Sequence, residues 1–425
     1  MLRDLNVCKS GHCSNLGEPG APDYEYHIRP LGFLAMRCDK CAATPPMLDN
    51  ESYLKIWHSW QQKVALYSGR CCPDCGSRHF KCFGRSAVQK PRRQCKACGR
   101  TFSVRDPVTQ AQRNNVEHIM RLMKKAKPDD GDNILMYAAE KGVHFDRATA
   151  QIQRLSLQML WQCPPAQRIA SVSFIVPYRG ENNALWCLIS TNMDTGEVIH
   201  ISTTLVELEL SAEGRYQSCQ DAPSTNWDHT TSAMRMAEDQ EARFLARGQF
   251  DRCDFGLVKV AKKGTSHALP VLTAHAHFAL LRYLGHGIGQ DGEVGSHCLQ
   301  HEVFLRGACI TQYAHCVKRD NMALLYVVGE TKSQCTHHST RKLGWWQNLW
   351  HSVTDTQGNQ KAYSVLCGNN RLDAEQISLS TCFAAIRYIE DQIACHHLGE
   401  FTPTRVNHLM ALIAQNFNQD LRFED

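Results

Sequence analysis

Residues Cys71 to Val104 read CCPDCGSRHFKCFGRSAVQKPRRQCKACGRTFSV, and this stretch decides how the chain is organised. Two residues separate Cys72 from Cys75 and two separate Cys95 from Cys98, with nineteen between the pairs. A Cys-x-x-Cys in a tight turn aims two thiolates at one point. Two such turns complete an all-thiolate tetrahedron, which suits Zn²⁺ because that ion has no d-electron geometry preference. Gly76 and Gly99 each follow a second cysteine, where the turn needs an unhindered backbone. The pattern predicts a zinc ribbon, with short strands at His79–Phe83 and Thr101–Val104. Cys72-Pro-Asp-Cys75 has the knuckle spacing, so Cys71 is the weaker ligand candidate.

The same region is strongly basic. From Arg78 to Lys127 there are fourteen Lys or Arg against Asp106 and Glu117, a balance of +12 in a chain whose total is +5. One-signed crowding is self-repelling unless a polyanion offsets it. The simplest such partner is double-stranded DNA. Arg92, Arg93, Lys96 and Arg100 are the candidate phosphate contacts.

Working outward toward the N-terminus, four residues separate Cys8 from Cys13 and two separate Cys38 from Cys41, around a turn-rich segment with Gly17, Pro19, Gly20 and Pro22. This spacing predicts a second four-cysteine zinc site, with His12 and His27 as alternative ligands. Glu51–Tyr67 then reads as a helix with Leu54, Trp57 and Val64 available for packing.

On the C-terminal side, Val116, Ile119, Met120 and Met123 form one apolar helical face. Pro128-Asp-Asp-Gly131 interrupts it. A short helix at Asn133–Lys141, a turn at Gly142, and a longer helix capped by Asp146 make a helix-turn-helix pattern. Arg147, Gln151 and Arg154 lie off its apolar stripe and can reach phosphates and base edges. An ordinary helical linker is the competing interpretation.

Pro164-Pro165 marks a change of composition. Ile169–Pro177, Ala184–Thr191 and Glu197–Thr204 read as strands joined through the Met193–Glu197 turn. Leu257–Val260, Pro270–Thr273, Val303–Leu305 and Leu324–Val328 read as further strands. Helices are expected at Ala233–Arg247, His275–Leu284, around Leu379–Ile393 and at Thr404–Phe417. The fold class is therefore multidomain: N-terminal zinc ribbons and a helix-turn-helix, then a mixed α/β domain with C-terminal helices. The expected boundaries are 1–68, 69–105, 106–163 and 166–425.

The order of parts resembles bacterial insertion-element transposases whose N-terminal part is a zinc ribbon of the InsA type. The resemblance rests on RRQCKACGRTFS at the end of the ribbon, and on VSFIVPYRGENNALWCLISTNMDTGEVIHIS, which is similar to the opening strands of that family's RNase H-like (DDE-type) domain. It covers Cys72 to Thr204. It implies three carboxylates holding two Mg²⁺ ions for strand transfer. The first belongs on the first strand, yet no acid stands between Ile169 and Tyr178. The second belongs just after a later buried strand, where Pro270–His277 offers Ala274. The third belongs on a late helix, where Glu375, Glu390 and Asp391 stand but read more readily as ordinary helix-surface acids.

The expectation is a zinc-containing, double-stranded-DNA-binding protein of transposase-like, mobile-element plan, catalytically inactive, whose α/β domain serves homo-oligomerisation or partner binding. An active Mg²⁺-dependent DDE transposase or nuclease is the alternative, and a protein-interaction scaffold with structural zinc is another. No apolar h-region or membrane-length run is visible and the paired cysteines suit a reducing compartment, which predicts a cytoplasmic location. His275 with His277, His297 with His301, Cys335 with His337 and His338, and His396-His397 read as core or surface residues. Gly285–Gly295 reads as a flexible loop. Arg341, Lys342, Trp345, Trp346 and Trp350 read as a hydrophobic docking patch, with stacking on unpaired bases as the alternative.

Overall fold

The computed structural model describes residues 4–28, 34–68, 71–103, 109–125, 155, 164–177, 184–210, 231–246, 266–289, 293–332, 338–344, 346–394 and 403–424. The N-terminal module is a hairpin of β1 (Tyr24–Ile28) and β2 (Leu34–Cys38), followed by helix α1 (Asn50–Ser68). The ribbon is a three-stranded antiparallel sheet, β3 (Phe80–Arg85), β4 (Pro91–Cys95) and β5 (Thr101–Ser103), with β4 in the middle. Helix α2 (Gln110–Lys125) follows.

The rest is built on one eight-stranded sheet. Its strands are β6 (Arg168–Pro177), β7 (Ala184–Asn192), β8 (Val198–Thr203), β11 (Gly295–Gln300), β12 (Met322–Lys332), β13 (Ser339–Leu343), β14 (Asn348–Thr354) and β15 (Asn359–Cys367). A two-residue pair, β9 (Leu205–Val206) with β10 (Ser266–His267), stands apart from it. The sheet order is β13-β14-β15-β12-β11-β6-β7-β8. β11 runs parallel to both β6 and β12; the remaining pairs are antiparallel. The helices are α3 (Ala233–Ala246), α4 (Pro270–Leu284), α5 (Val303–Val317), α6 (Ser380–Ala394) and α7 (Pro403–Glu424).

Helices lie on both faces, as a sheet with parallel members requires. One core places Tyr53 and Trp57 of α1 with residues of α3, α4 and α5 against Ile169, Trp186 and Leu299. The other places Val116, Ile119 and Met120 of α2 with residues of α6 and α7 against Val172, Cys187 and Leu325. β6 feeds both cores because successive strand residues alternate faces. Two observed helices replace expected strands. Pro270–Thr273 is the first turn of α4, and Val303–Leu305 opens α5. Both helices are buried almost all round, so no polar face gave a 3.6-residue period, and a short apolar run does not distinguish helix from buried strand. Pro270 stands at the start of α4, where its locked φ suits a helix. Ala274 is therefore a mid-helix residue, not a strand end.

β11, not among the expected strands, begins at the last residue of the expected glycine-rich loop. Gly295 opens the strand, and a Cβ on Gly287 would overlap the His297 ring, so the loop packs tightly on the sheet. Trp350 is fully buried and stacks near-parallel to Tyr326 with centroids 6.2 Å apart, so it belongs to the core and not to a docking patch. Trp346 lies under the Arg306 guanidinium. Apart from Leu155, both helices of the expected helix-turn-helix lie outside the described residues, as do Arg147, Gln151, Arg154, the Leu257–Val260 strand, Trp345, Cys335, His337, His396 and His397. Among the described residues no helix is long and apolar enough to cross a membrane.

Candidate metal centres and the basic ribbon

Each knuckle is a backbone device before it is a ligand set. Gly76 N–H donates to the Cys72 carbonyl and Gly99 N–H to the Cys95 carbonyl, at 2.9 and 3.1 Å. Both glycines close their turns at positive φ, +69° and +74°, where a side chain would be strained. The turns are joined by β3 and β4, which pair Phe80 with Cys95. The result gathers Cys72, Cys75, Cys95 and Cys98, whose sulfurs all lie within 4.8 Å of one another. Cys72 Sγ is 3.6 Å from Cys98 Sγ, and Cys75 Sγ is 3.5 Å from Cys95 Sγ.

Those separations identify the chemistry. A disulfide requires ~2.05 Å. A tetrahedron of thiolates at ~2.3 Å from a central ion has edges of about 3.8 Å. The sulfurs therefore fit zinc coordination. Cys71, though adjacent, is buried and reaches the Tyr283 hydroxyl instead. In the metal-free ribbon the thiols divide. Burial opposes ionisation of Cys95, but the backbone N–H groups of Cys98 and Ala97 outweigh it and bring Cys95 down to about 6. Cys75 is pushed up to about 12, first by burial and then by its neighbouring thiols. A divalent ion relieves this frustration by ionising all four together.

The second centre brings together Cys8, Cys13, Cys38 and Cys41. Cys8 Sγ to Cys41 Sγ is 3.5 Å and Cys13 Sγ to Cys38 Sγ 3.8 Å, the same tetrahedral edges. His12 and His27 are not in the cluster. This centre is the more enclosed: Cys8, Cys13 and Cys38 are buried, whereas Cys75 and Cys98 of the ribbon are exposed. Burial accordingly drives the Cys8 thiol well above its ordinary value when no ion is present. The spacing of the cysteines gave no sign of the shell around them. Asn15 Nδ2 donates to Cys38 Sγ at 3.7 Å and to Asp23 at 2.9 Å, and Lys40 bridges Asp23 and Asn15. Tyr24 Oη accepts the Cys8 N–H at 2.8 Å and donates to the Glu18 carbonyl. Such outer partners fix ligand orientation, and they come from positions with no characteristic interval, which is why the sequence does not display them.

One knuckle carries an anomaly. Ala42 N–H donates to the Cys38 carbonyl at 2.8 Å, in the role of Gly76 and Gly99, yet Ala42 has φ +57°. A left-handed alanine is strained, and Ala42 is exposed, so its methyl packs little. Ala42→Gly is expected to stabilise this module by about 1 kcal/mol. Thermal release of its zinc to a chromophoric chelator should shift upward; a downward shift would contradict the strain.

The ribbon also organises charge. Arg92 and Arg93 are consecutive on β4, so they project from opposite faces. The Arg93 guanidinium sits 4.7 Å from the Phe80 ring centroid, and Phe80 packs edge-on to Phe102. Arg92 sits 5.7 Å from the exposed Phe83 ring. Lys96 is exposed on the second knuckle, while Arg100 pairs with Asp74 at 3.5 Å. The hairpin thus carries a cation on each face, each steadied by an aromatic ring.

A different arrangement occupies the sheet. Gln300 Oε1, at the end of β11, accepts from both the N–H and the Oγ–H of Ser173 on β6, at 3.0 and 2.9 Å. Ser171 Oγ meets Ser190 Oγ at 2.6 Å, and His277 links Ser190 to Ser202 through its two ring nitrogens at 2.8 and 2.9 Å. These groups are neutral and already partnered. Glu302 follows β11, but the cysteine sets are the only metal-sized clusters among the described residues. Glu375, Glu390 and Asp391 are exposed.

No family model matches the chain, and no curated protein matches it. Among solved structures it is similar to the cryo-EM structure of the piggyBac transposase synaptic complex with hairpin DNA, at 8% identity and a TM-score of 0.29, over 76% of this chain and 67% of that one. An overlap at that score carries no argument about function.

Proposed function

We propose that the protein binds double-stranded DNA through its zinc ribbon, on a transposase-like plan, and does not catalyse strand transfer. The observation that carries this is the ribbon hairpin. It combines a four-thiolate centre with Arg92 and Arg93 on opposite faces, inside a segment of net charge +12. The major groove admits a β-hairpin, and β3 and β4 form one within the three-stranded ribbon. Cations on both faces then meet phosphates on both walls, and Lys96 meets the backbone beside them. Arg147, Gln151 and Arg154 would read bases nearby. Arg100 is the weakest of the contacts because Asp74 already engages it.

Support for an RNase H-like domain comes from the sheet. Three antiparallel strands come first, followed by two parallel ones reached through α4 and α5. Support for inactivity comes from what fills it. A two-metal cage needs hard anionic oxygens; β6 carries no acid, and its Ser173 is closed against Gln300. Electrostatic compensation for the transferring phosphate would then be missing, and that is usually the largest catalytic contribution. Incubation of bound DNA with Mg²⁺ or Mn²⁺ should produce no breakage; ion-dependent cleavage lost in Glu302→Gln would reverse this part of the proposal.

The binding itself is tested by titrating a duplex at several salt concentrations. Each phosphate contact contributes roughly 0.9 to the log–log salt slope. Replacing Arg92, Arg93 and Lys96 together by alanine should flatten the slope by up to about three units. An unchanged slope places the contact elsewhere.

A further inference from the structure

The ribbon's small core uses one face of its sheet and leaves the other bare. Residues paired across strands share a face, which puts Phe80, Cys82, Arg93, Cys95 and Phe102 together. The Phe80 and Phe102 rings meet there and pack with Cys72 and Cys95. The opposite face carries Lys81, paired with Gln94, and Arg92. The Phe83 ring lies beside Arg92, 5.7 Å from its guanidinium, and so joins no core. It is 43% exposed, and among the described residues no other phenylalanine or tryptophan is exposed.

A backbone irregularity puts it there. Between Cys82 and Arg85 the strand β3 advances three residues while β4 advances two, from Arg93 to Pro91. Such a bulge redirects a side chain and tightens the local twist. Gly84, in the bulge, has φ +67°, a conformation an L side chain resists. The turn beyond is ordered. Ser86 N–H donates to the Lys90 carbonyl at 2.8 Å, and Arg85 Nη1 donates to the Gln89 carbonyl at 3.0 Å. The ring is thus presented on a fixed support, which lowers the ordering cost of binding. Its surroundings are of one sign, since no acid stands between Asp74 and Asp106.

A phenyl ring has no donor or acceptor, so it does not read the hydrogen-bonding edges of paired bases. It offers a π-face, and the matching surface of a nucleic acid is the face of a base. In a regular duplex neighbouring bases cover those faces. Extruding a paired base is costly, and least so for one that has no partner. We propose that the outer face of the ribbon takes an unpaired base. The preferred ligand is double-stranded DNA with one base out of the stack, which lies flat on Phe83 while Arg92 and exposed Lys81 hold the flanking phosphates. This rests on the duplex binding proposed above and specifies the class of DNA.

The test uses the full-length, two-zinc protein and three DNAs: a perfect duplex, the same duplex with one extra adenosine in one strand, and that bulge with an abasic nucleotide in place of the adenosine. The two bulges have the same phosphates, so their difference isolates the base. Competition titration at fixed salt should show the adenosine bulge bound on the order of tenfold more tightly than the abasic one, the scale of one stacked base. Phe83→Trp should keep that preference. Phe83→Leu, which retains apolar bulk outside the core but has no π-face, should abolish it. Equal affinity for the two bulges would overturn the inference, as would a preference that survives Phe83→Leu. If the perfect duplex is bound while the two bulges are equal, this inference fails and duplex binding stands. Binding of the adenosine bulge alone would support the inference and overturn duplex binding, and binding of none of the three would overturn both.

Discussion

Purified without chelator, the protein is expected to carry two zinc ions per chain, one for each set of converging cysteines. Cys72→Ser should lose one and Cys38→Ser the other. Each loss should unfold the turns and strands around its own centre and leave the other centre intact, because the two centres have separate small cores. Cys72 and Cys95 pack with Phe102 in one; Cys8, Cys13 and Cys38 pack with Tyr24 and Met36 in the other. Neither core is large enough to stand without its ion. Structural zinc contributes apparent free energies of about 10–16 kcal/mol in small metallo-modules, far more than a cluster of a few apolar side chains supplies. The large sheet should persist in Cys72→Ser, whose small core shares no residue with the sheet's two cores; Cys38→Ser should also loosen the sheet's first core, which takes in Leu5, Leu16 and residues of α1. Metal analysis settles the count, and circular dichroism the extent of unfolding. Zinc-free protein with intact modules would contradict the assignment.

The second large effect concerns Trp350. It is completely buried, lies 4.6 Å from the His301 ring, and stacks on Tyr326. It joins β14 to β12 through side chains, across the intervening β15. Trp350→Ala removes this packing and leaves a cavity, which costs about 3–5 kcal/mol. That is a large part of the whole stability of a domain. Trp350→Phe keeps an aromatic filler and should cost substantially less. Urea unfolding measures both; a loss below about 1 kcal/mol for the alanine variant would contradict the burial.

The sequence displayed those parts of the molecule whose chemistry demands a fixed interval. Two thiolates per knuckle require close spacing, so both cysteine sets were visible from position alone. β6, β7 and β8 alternate well and are joined by a turn at Gly196, so the start of the sheet was visible too. α6 and α7 each present one polar face, and their period is readable. α4 and α5 do not, because both faces are buried, and their opening residues resembled strands. β11, GSHCLQ, was hidden for the opposite reason. Its buried positions include Ser296, His297 and Cys298, whose polar side chains give no apolar run to mark a buried strand. β13 to β15 are rich in polar residues and had no aliphatic alternation to announce them. The Ser173–Gln300 contact spans 127 positions and the shell around the N-terminal centre up to 25, and no local pattern specifies either.

The central claim is that the ribbon's zinc holds Arg92, Arg93 and Lys96 in the geometry that binds DNA. Its most direct test is the salt dependence of duplex affinity for the two-zinc protein and for Cys75→Ser. The account predicts a steep log–log slope for the first. For the second it predicts a slope lower by about three units, with circular dichroism still reporting the large sheet. Equal slopes for the two proteins, or no salt-dependent duplex binding by the two-zinc protein, would contradict it.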